Sequence, residues 1–92
     1  MELEWDEAKR RWTLEERGLD FADVARIDPL TLTTFEDTRY VYGEKRFNSF
    51  GYLDGVLCTF CWTTRPHRIR IISMRKANDR ERKAYQAQKD AR

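Results

Sequence analysis

The residues of this chain best suited to chemistry crowd into one stretch: Arg65-Pro66-His67-Arg68-Ile69-Arg70-Ile71-Ile72-Ser73-Met74-Arg75-Lys76. It holds four arginines, one lysine and the chain's single histidine. A guanidinium is a planar fork that bonds two phosphate oxygens at once. Successive side chains of a strand point to opposite faces, so Arg68 and Arg70 share one face and Ile69 and Ile71 the other. Arg75 and Lys76 follow at the strand end. Arginines in a row can clamp a polyanion backbone and stabilise the extra charge of a phosphoryl transition state. The same alternation also suits an exposed strand that charge keeps soluble and guards against edge pairing.

His67 titrates nearest neutrality, which makes it a natural general acid or base, although a loop histidine beside a proline is often plain surface. Glu81 lies one helical turn before Tyr85 and shares its face. It reads as a helix cap and as a candidate carboxylate. Tyr85 suits either a core position or a base stack. Cys58 and Cys61 have C-x-x-C spacing, but they fall on a predicted strand and diverge to opposite faces. Structural zinc wants four ligands, so two packed thiols are the expectation, with no metal and no cofactor. The chain shows no glycine-rich phosphate loop, no paired-carboxylate metal motif and no nucleophile elbow. That leaves a nucleotide-cofactor enzyme or a serine hydrolase without support.

These side chains need a scaffold. Ninety-two residues make one domain, 1–92. Hydrophobic residues at 40%, aromatics at 13% and charged residues at 37% exclude a disordered tail. Apolar runs of two or three residues exclude a spanning helix, which needs roughly 20. Met1-Glu2-Leu3-Glu4 is not a secretory signal, so the expected location is cytoplasmic. Residues 1–64 carry eight basic and thirteen acidic groups, net −5, whereas residues 65–92 carry ten and three, net +7. A basic C-terminal third suggests a polyanion-binding face.

Leu3, Glu4 and Trp5 form a short strand or an extended entry. Asp6 then caps a first helix, with Trp5, Ala8, Trp12 and Leu19 on its apolar side and Gly18 as its stop. Asp20 caps a second, short helix that Asp28-Pro29 ends. Alternation marks strands over 30–35, 46–53, 56–63 and 68–74, with a loop over 36–44 and a turn at Asp54-Gly55. Asn78 caps a last helix, with Glu81 in capping-box position. Trp5, Trp12, Phe21 and Phe60 are the predicted core. The expected fold is α+β: two N-terminal helices, a four-stranded antiparallel meander and a C-terminal helix. One sheet face would stay partly free for a ligand, with the basic segment at its edge.

The chain also resembles a known family. Glu4-Trp5-Asp6-Glu7-Ala8-Lys9, then Arg17-Gly18-Leu19-Asp20-Phe21-Ala22-Asp23-Val24-Ala25 and Asp28-Pro29 are similar to the opening of the BrnT toxins. Gly43-Glu44-Lys45-Arg46, Gly51, Arg70-Ile71-Ile72-Ser73-Met74-Arg75-Lys76-Ala77, Glu81 and Tyr85 are similar to the rest of the pattern. Glu16-Arg17-Gly18 departs from a frequent Lys-His-Gly, and Thr13 from a frequent asparagine. The resemblance implies the toxin of a type II toxin–antitoxin system, a ribonuclease with a RelE-like fold. It implies an RNA substrate and a BrnA-like ribbon-helix-helix antitoxin. Promoter DNA would be bound only through the antitoxin complex, and no membrane is involved.

On this reading the chain is a metal-independent endoribonuclease in which the ribose 2′-hydroxyl attacks the scissile phosphate. Arg70 and Arg75, with Arg46 from a neighbouring strand, would neutralise the developing charge. His67 or Glu81 would move the proton. Arg65, Arg68, Lys76 and Tyr85 would hold RNA. The alternative is a catalytically weak module that binds RNA or a partner. A DNA-binding protein acting alone has less support, because the second helix is short and acidic.

Overall fold

The computed structural model describes residues 2–91. The elements run β1 (Glu2–Trp5), α1 (Glu7–Arg17), two 3-10 helices (Phe21–Arg26 and Pro29–Thr31), β2 (Thr33–Glu36), β3 (Phe47–Leu53), β4 (Val56–Arg65), β5 (Arg68–Lys76) and α2 (Asp79–Asp90). The sheet order is β1-β5-β4-β3-β2. β1 runs parallel to β5, and every other pair is antiparallel.

This mixed five-stranded sheet corrects the expected four-stranded antiparallel meander. The added strand is β1, which reaches across the chain to pair Glu2 with Arg68, Leu3 with Ile69, Glu4 with Arg70 and Trp5 with Ile71. Two alternating patterns meet in register, so apolar side chains fall on one face and opposite charges on the other. Arg70 Nη1 donates to Glu4 Oε2 at 2.7 Å, and Arg68 Nε lies 3.6 Å from Glu2 Oε2. A parallel pairing between distant segments leaves no turn signal to read.

The second N-terminal helix is corrected as well, since it is a six-residue 3-10 helix. Asp20 caps it as expected, accepting from the Ala22 N–H at 2.9 Å. Asp28-Pro29 follows too soon for an α-helix to propagate. Pro29 instead opens the second 3-10 turn, capped by Asp28, so the strand expected from residue 30 begins at Thr33. The Asp54-Gly55 hairpin turn forms with both residues at positive φ, 50° and 80°. That geometry matches the twist of the flanking strands. The capping box of α2 forms between Asn78 and Glu81.

The main core lies on one sheet face, where Leu19, Phe21 and Ile27 cover Leu53, Cys58, Phe60, Ile71 and Met74. Trp5 packs against this cluster as expected. Trp12 does not join it: its side of α1 faces solvent, it stays 53% exposed, and the Arg17 guanidinium sits over its ring. On the opposite sheet face Tyr85 of α2 packs with Leu57 and Ala77, against Phe50 and Tyr52. α2 therefore covers one end of that face and leaves its middle open.

Gly51 of β3 lies directly beneath the 3-10 segment. A Cβ there would meet Ile27 Cγ2 at 2.6 Å and Leu32 Cδ2 at 3.0 Å. Overpacking of this kind costs about 1–3 kcal/mol. Gly51→Ala should therefore lower the denaturation midpoint without changing the m-value, measured by urea unfolding.

Candidate active site

The site depends on a register shift. Cys61 pairs with Ser73 but Trp62 pairs with Ile71, so Ile72 is an extra residue in β5. A bulge reverses the alternation of everything beyond it. Ile69, Ile71 and Met74 consequently all face the main core. Arg70 stands across from Thr63, and Arg75 across from Thr59. Thr59 and Thr63 are four residues apart on β4, so Arg70 and Arg75 lie on the same open face.

An open groove of about 440 Å³ crosses the middle of that face. Its floor is Asn48, Thr59, Cys61 and Ser73 from the three central strands. Arg75 and Glu81 close one side, and Asp37, Arg39, Tyr42 and Arg46 of the β2–β3 loop close the other. The structure thus brings together Arg46, Arg75 and Glu81 of the residues expected from sequence.

Arg75 and Glu81 form a two-pronged ion pair, with Nη1 to Oε1 at 2.7 Å and Nη2 to Oε2 at 2.9 Å. Glu81 Oε1 also accepts from the Asn78 N–H at 2.9 Å. The Arg75 guanidinium, helped by that N–H, holds the Glu81 carboxyl below the ordinary glutamate range. The same pairing raises Arg75. Arg46 lies with its guanidinium 4.0 Å from the Tyr42 ring centroid, a cation–π contact, and 3.5 Å from Glu44 Oε1. Among the described residues, Arg46 Nε is the buried side-chain nitrogen or oxygen without a hydrogen-bond partner. A buried donor left unpaired is costly, and an anion in the groove would relieve it.

The other expected residues stand elsewhere. Arg70 is held by Glu4 and lines a smaller cavity beside the groove, which Arg46 and Arg65 also reach. Arg65 donates to Glu44 Oε2 at 2.8 Å. Arg68 is at the β1 edge with Glu2. His67 sits exposed in the β4–β5 turn at φ 62°. Eight residues of strand separate it from Arg75, roughly 25 Å at about 3.3 Å per residue. Lys76 follows Arg75 and so points to the other face. Tyr85 is buried, and its hydroxyl donates to the Thr31 carbonyl at 2.6 Å. The two cysteines part as their spacing requires, Cys58 into the core and Cys61 into the groove.

The loop over 36–44 supplies Asp37, Arg39 and Tyr42 to the groove, and sequence reasoning gave Asp37 and Arg39 no role. Asp37 is buried on this loop. Its carboxylate accepts from Arg39 Nε and Nη2, both at 3.0 Å, and from the Tyr42 hydroxyl at 3.2 Å. The Arg39 guanidinium holds Asp37 well below the usual carboxylate range. The available signal was local: an aspartate two residues before an arginine can fold the chain back on itself. Asp37→Asn removes the charge that gathers Arg39 and Tyr42. Trypsin should then cut after Arg39 faster than in the parent at neutral pH, read by mass spectrometry of a time course.

The basic groove, the flanking carboxylate and the open sheet face agree with one comparison. The family model described as ribonuclease toxin, BrnT, of type II toxin–antitoxin system matches residues 5–81. No curated protein matches the chain. The match runs from the last residue of β1 to the glutamate that pairs with Arg75, and so takes in β2 to β5, the bulge and every wall of the groove. The chain belongs to the BrnT family of ribonuclease toxins.

Proposed function

We propose that the chain cuts RNA without a metal, at a phosphate seated in the groove between Arg46 and Arg75. The carrying observation is the convergence of Arg46, Arg75 and Glu81 there, with Arg46 Nε buried and unpaired. Glu81 takes the proton of the ribose 2′-hydroxyl. The 2′-oxygen bonds to phosphorus as the bond to the 5′-oxygen breaks. The 5′-oxygen leaves with a proton from water, giving a 2′,3′-cyclic phosphate and a 5′-hydroxyl. Arg75 and Arg46 neutralise the charge on the phosphoryl oxygens. Arg39 extends the cationic wall, and Arg70, Arg65 and Arg68 carry the flanking backbone along the β1 side. His67 takes no part in the proton transfer.

The antitoxin in this proposal is a ribbon-helix-helix protein, through which the complex meets promoter DNA. The site of action is the cytoplasm. Among the described residues no helix is long and apolar enough to cross a membrane. A second reading, RNA binding with little catalysis, draws on the same ion pair. A carboxylate held strongly ionised is a weak base.

The two readings separate on a labelled, unstructured RNA in excess EDTA. The proposal expects cyclic-phosphate ends from the parent. Arg75→Ala should lose about 10²–10³ in rate, as removal of one charge-stabilising donor does. Its stability should change little, because a half-exposed ion pair contributes at most about 1 kcal/mol. Glu81→Gln keeps an oxygen for the cap and should lose about 10²–10⁴ in rate. Binding without cutting, with a salt slope of about −4 for six arginines along a single strand, would favour the second reading.

The pH–rate profile tests the base. Glu81 is lowered by Arg75, so it stays ionised at and above the ordinary glutamate range, and protonation would slow the reaction only on further acidification. The saturated rate should run flat across the window near about 6.5 where a histidine titrates. His67→Ala should cut within twofold of the parent rate. An inflection near neutrality that disappears in that variant would transfer the role to His67.

A further inference from the structure

We infer that the apolar cleft between β2 and α2 is a nucleobase pocket, with Phe35 as its stacking platform and Gln88 as the polar group at its rim. The inference rests on the RNA reading of the groove and deepens it by naming what lies beside the phosphate.

The cleft holds about 350 Å³ and opens off the groove, because Phe35, Phe50 and Glu81 line both. One wall is Phe35, a large apolar side chain left 50% exposed on a four-residue edge strand. Its ring meets Phe50 in a T-shaped contact at 6.5 Å, so Phe50 steadies a ring that stays half exposed. The opposite wall is the α2 surface at Ala84 and Tyr85. Gln88 and Thr33 stand at the cleft, and neither side chain has a hydrogen-bond partner among the described residues.

Two adjoining compartments of opposite character meet at Glu81. The groove is cationic and polar-floored, and the cleft is aromatic-walled with an amide on its edge. A nucleotide has that composition, an anion joined to a flat ring with hydrogen-bonding edges. Stacking on an aromatic side chain tolerates any base, and an amide reads the base edge. The volume falls in the range of ligand pockets, about 300–1,000 Å³. The remaining exposed apolar side chains, such as Val41, Val56 and Leu30, do not line the cleft or the groove beside it.

The probes are inorganic phosphate and the four nucleoside 3′-monophosphates, titrated against the ¹⁵N-labelled full chain. Phosphate should shift only signals of the groove, at Arg39, Arg46 and Arg75. The nucleotides should also shift Phe35, Ala84 and Gln88. Phe35→Ala should weaken nucleotide binding about 5–150-fold, the loss of one base–aromatic stack, and leave phosphate binding unchanged. Phe35→Tyr should restore it. Gln88→Ala, on the exposed side of α2, should keep affinity within a few-fold and change the order of preference among the four nucleotides. If the chain cuts no RNA but nucleotides still shift the cleft, the ribonuclease reading fails and the pocket stands. If RNA is cut while nucleotides shift only what phosphate shifts, the pocket is overturned. Phe35→Ala cutting the same sites at the parent rate would overturn it too, and would assign the cleft to a protein partner.

Discussion

One inserted residue decides which way half of β5 faces. Without the bulge at Ile72, strict alternation would send Met74 to solvent and Arg75 into the core beside Ile71. Burying an unpaired guanidinium costs several kcal/mol, and exposing the methionine forfeits about 1.5–3 kcal/mol. With the bulge, both halves of the strand keep their apolar side chains inward. The position of the bulge is equally constrained. β1 pairs with β5 only as far as Ile71, and beyond that the edge of β5 lies beside α1. There Arg17 Nη1 donates to the Met74 carbonyl at 2.9 Å, and the C-terminal end of α1 docks onto the strand. Pairing partner, parity and helix docking change over the same three residues.

The arginines of the basic segment therefore split into two populations. Arg68 and Arg70, before the bulge, are matched to β1 carboxylates, and their first effect is to fix the register of a strand that has no turn to fix it. Arg75, after it, stands over the open sheet. The groove cations each have a carboxylate close by: Asp37 for Arg39, Glu44 for Arg46 and Glu81 for Arg75. This arrangement lets like charges approach one another in the free protein. It also orients the guanidinium planes before any ligand arrives, which reduces the ordering that binding must impose.

What could be read from the chain alone follows the reach of each signal. The capping box of α2, the Asp54-Gly55 turn and the long central strands rest on neighbours a few residues apart, and they formed as read. β1 rests on a partner more than sixty residues away, and only its Glu-x-Glu pattern, complementary to Arg-x-Arg, hinted at it. Trp12 has helical spacing with Ala8, but the two face β5 only across an open cavity lined by Ile72 and Ser73, so periodicity pointed to a side that the sheet does not cover. The bulge was marked in the letters. Ile71-Ile72 breaks an otherwise alternating run, and the reading of Arg75 as a site residue did not use it. Asp37 was missed because a buried loop carboxylate looks like any polar loop residue until its arginine folds back.

Glu81 joins α2 to the groove, and its three contacts are compatible because its backbone N–H serves one and the several lone pairs of its carboxylate serve the other two. Its backbone N–H is capped by Asn78, while Oε1 returns the bond to the Asn78 N–H and shares the Arg75 fork with Oε2. A guanidinium has five N–H donors. Glu81 takes one from each terminal nitrogen of Arg75, and the Lys76 carbonyl takes another from Nη1 at 3.3 Å. The Nε–H and one Nη2–H remain, which together form a second fork along the side of the same plane. A phosphate received there would lie next to the carboxylate without displacing it. In the proposed reaction the ion pair would orient base and anion on adjacent edges of one group. The ionisation that makes Glu81 a weak base would also keep it deprotonated beside the 2′-hydroxyl.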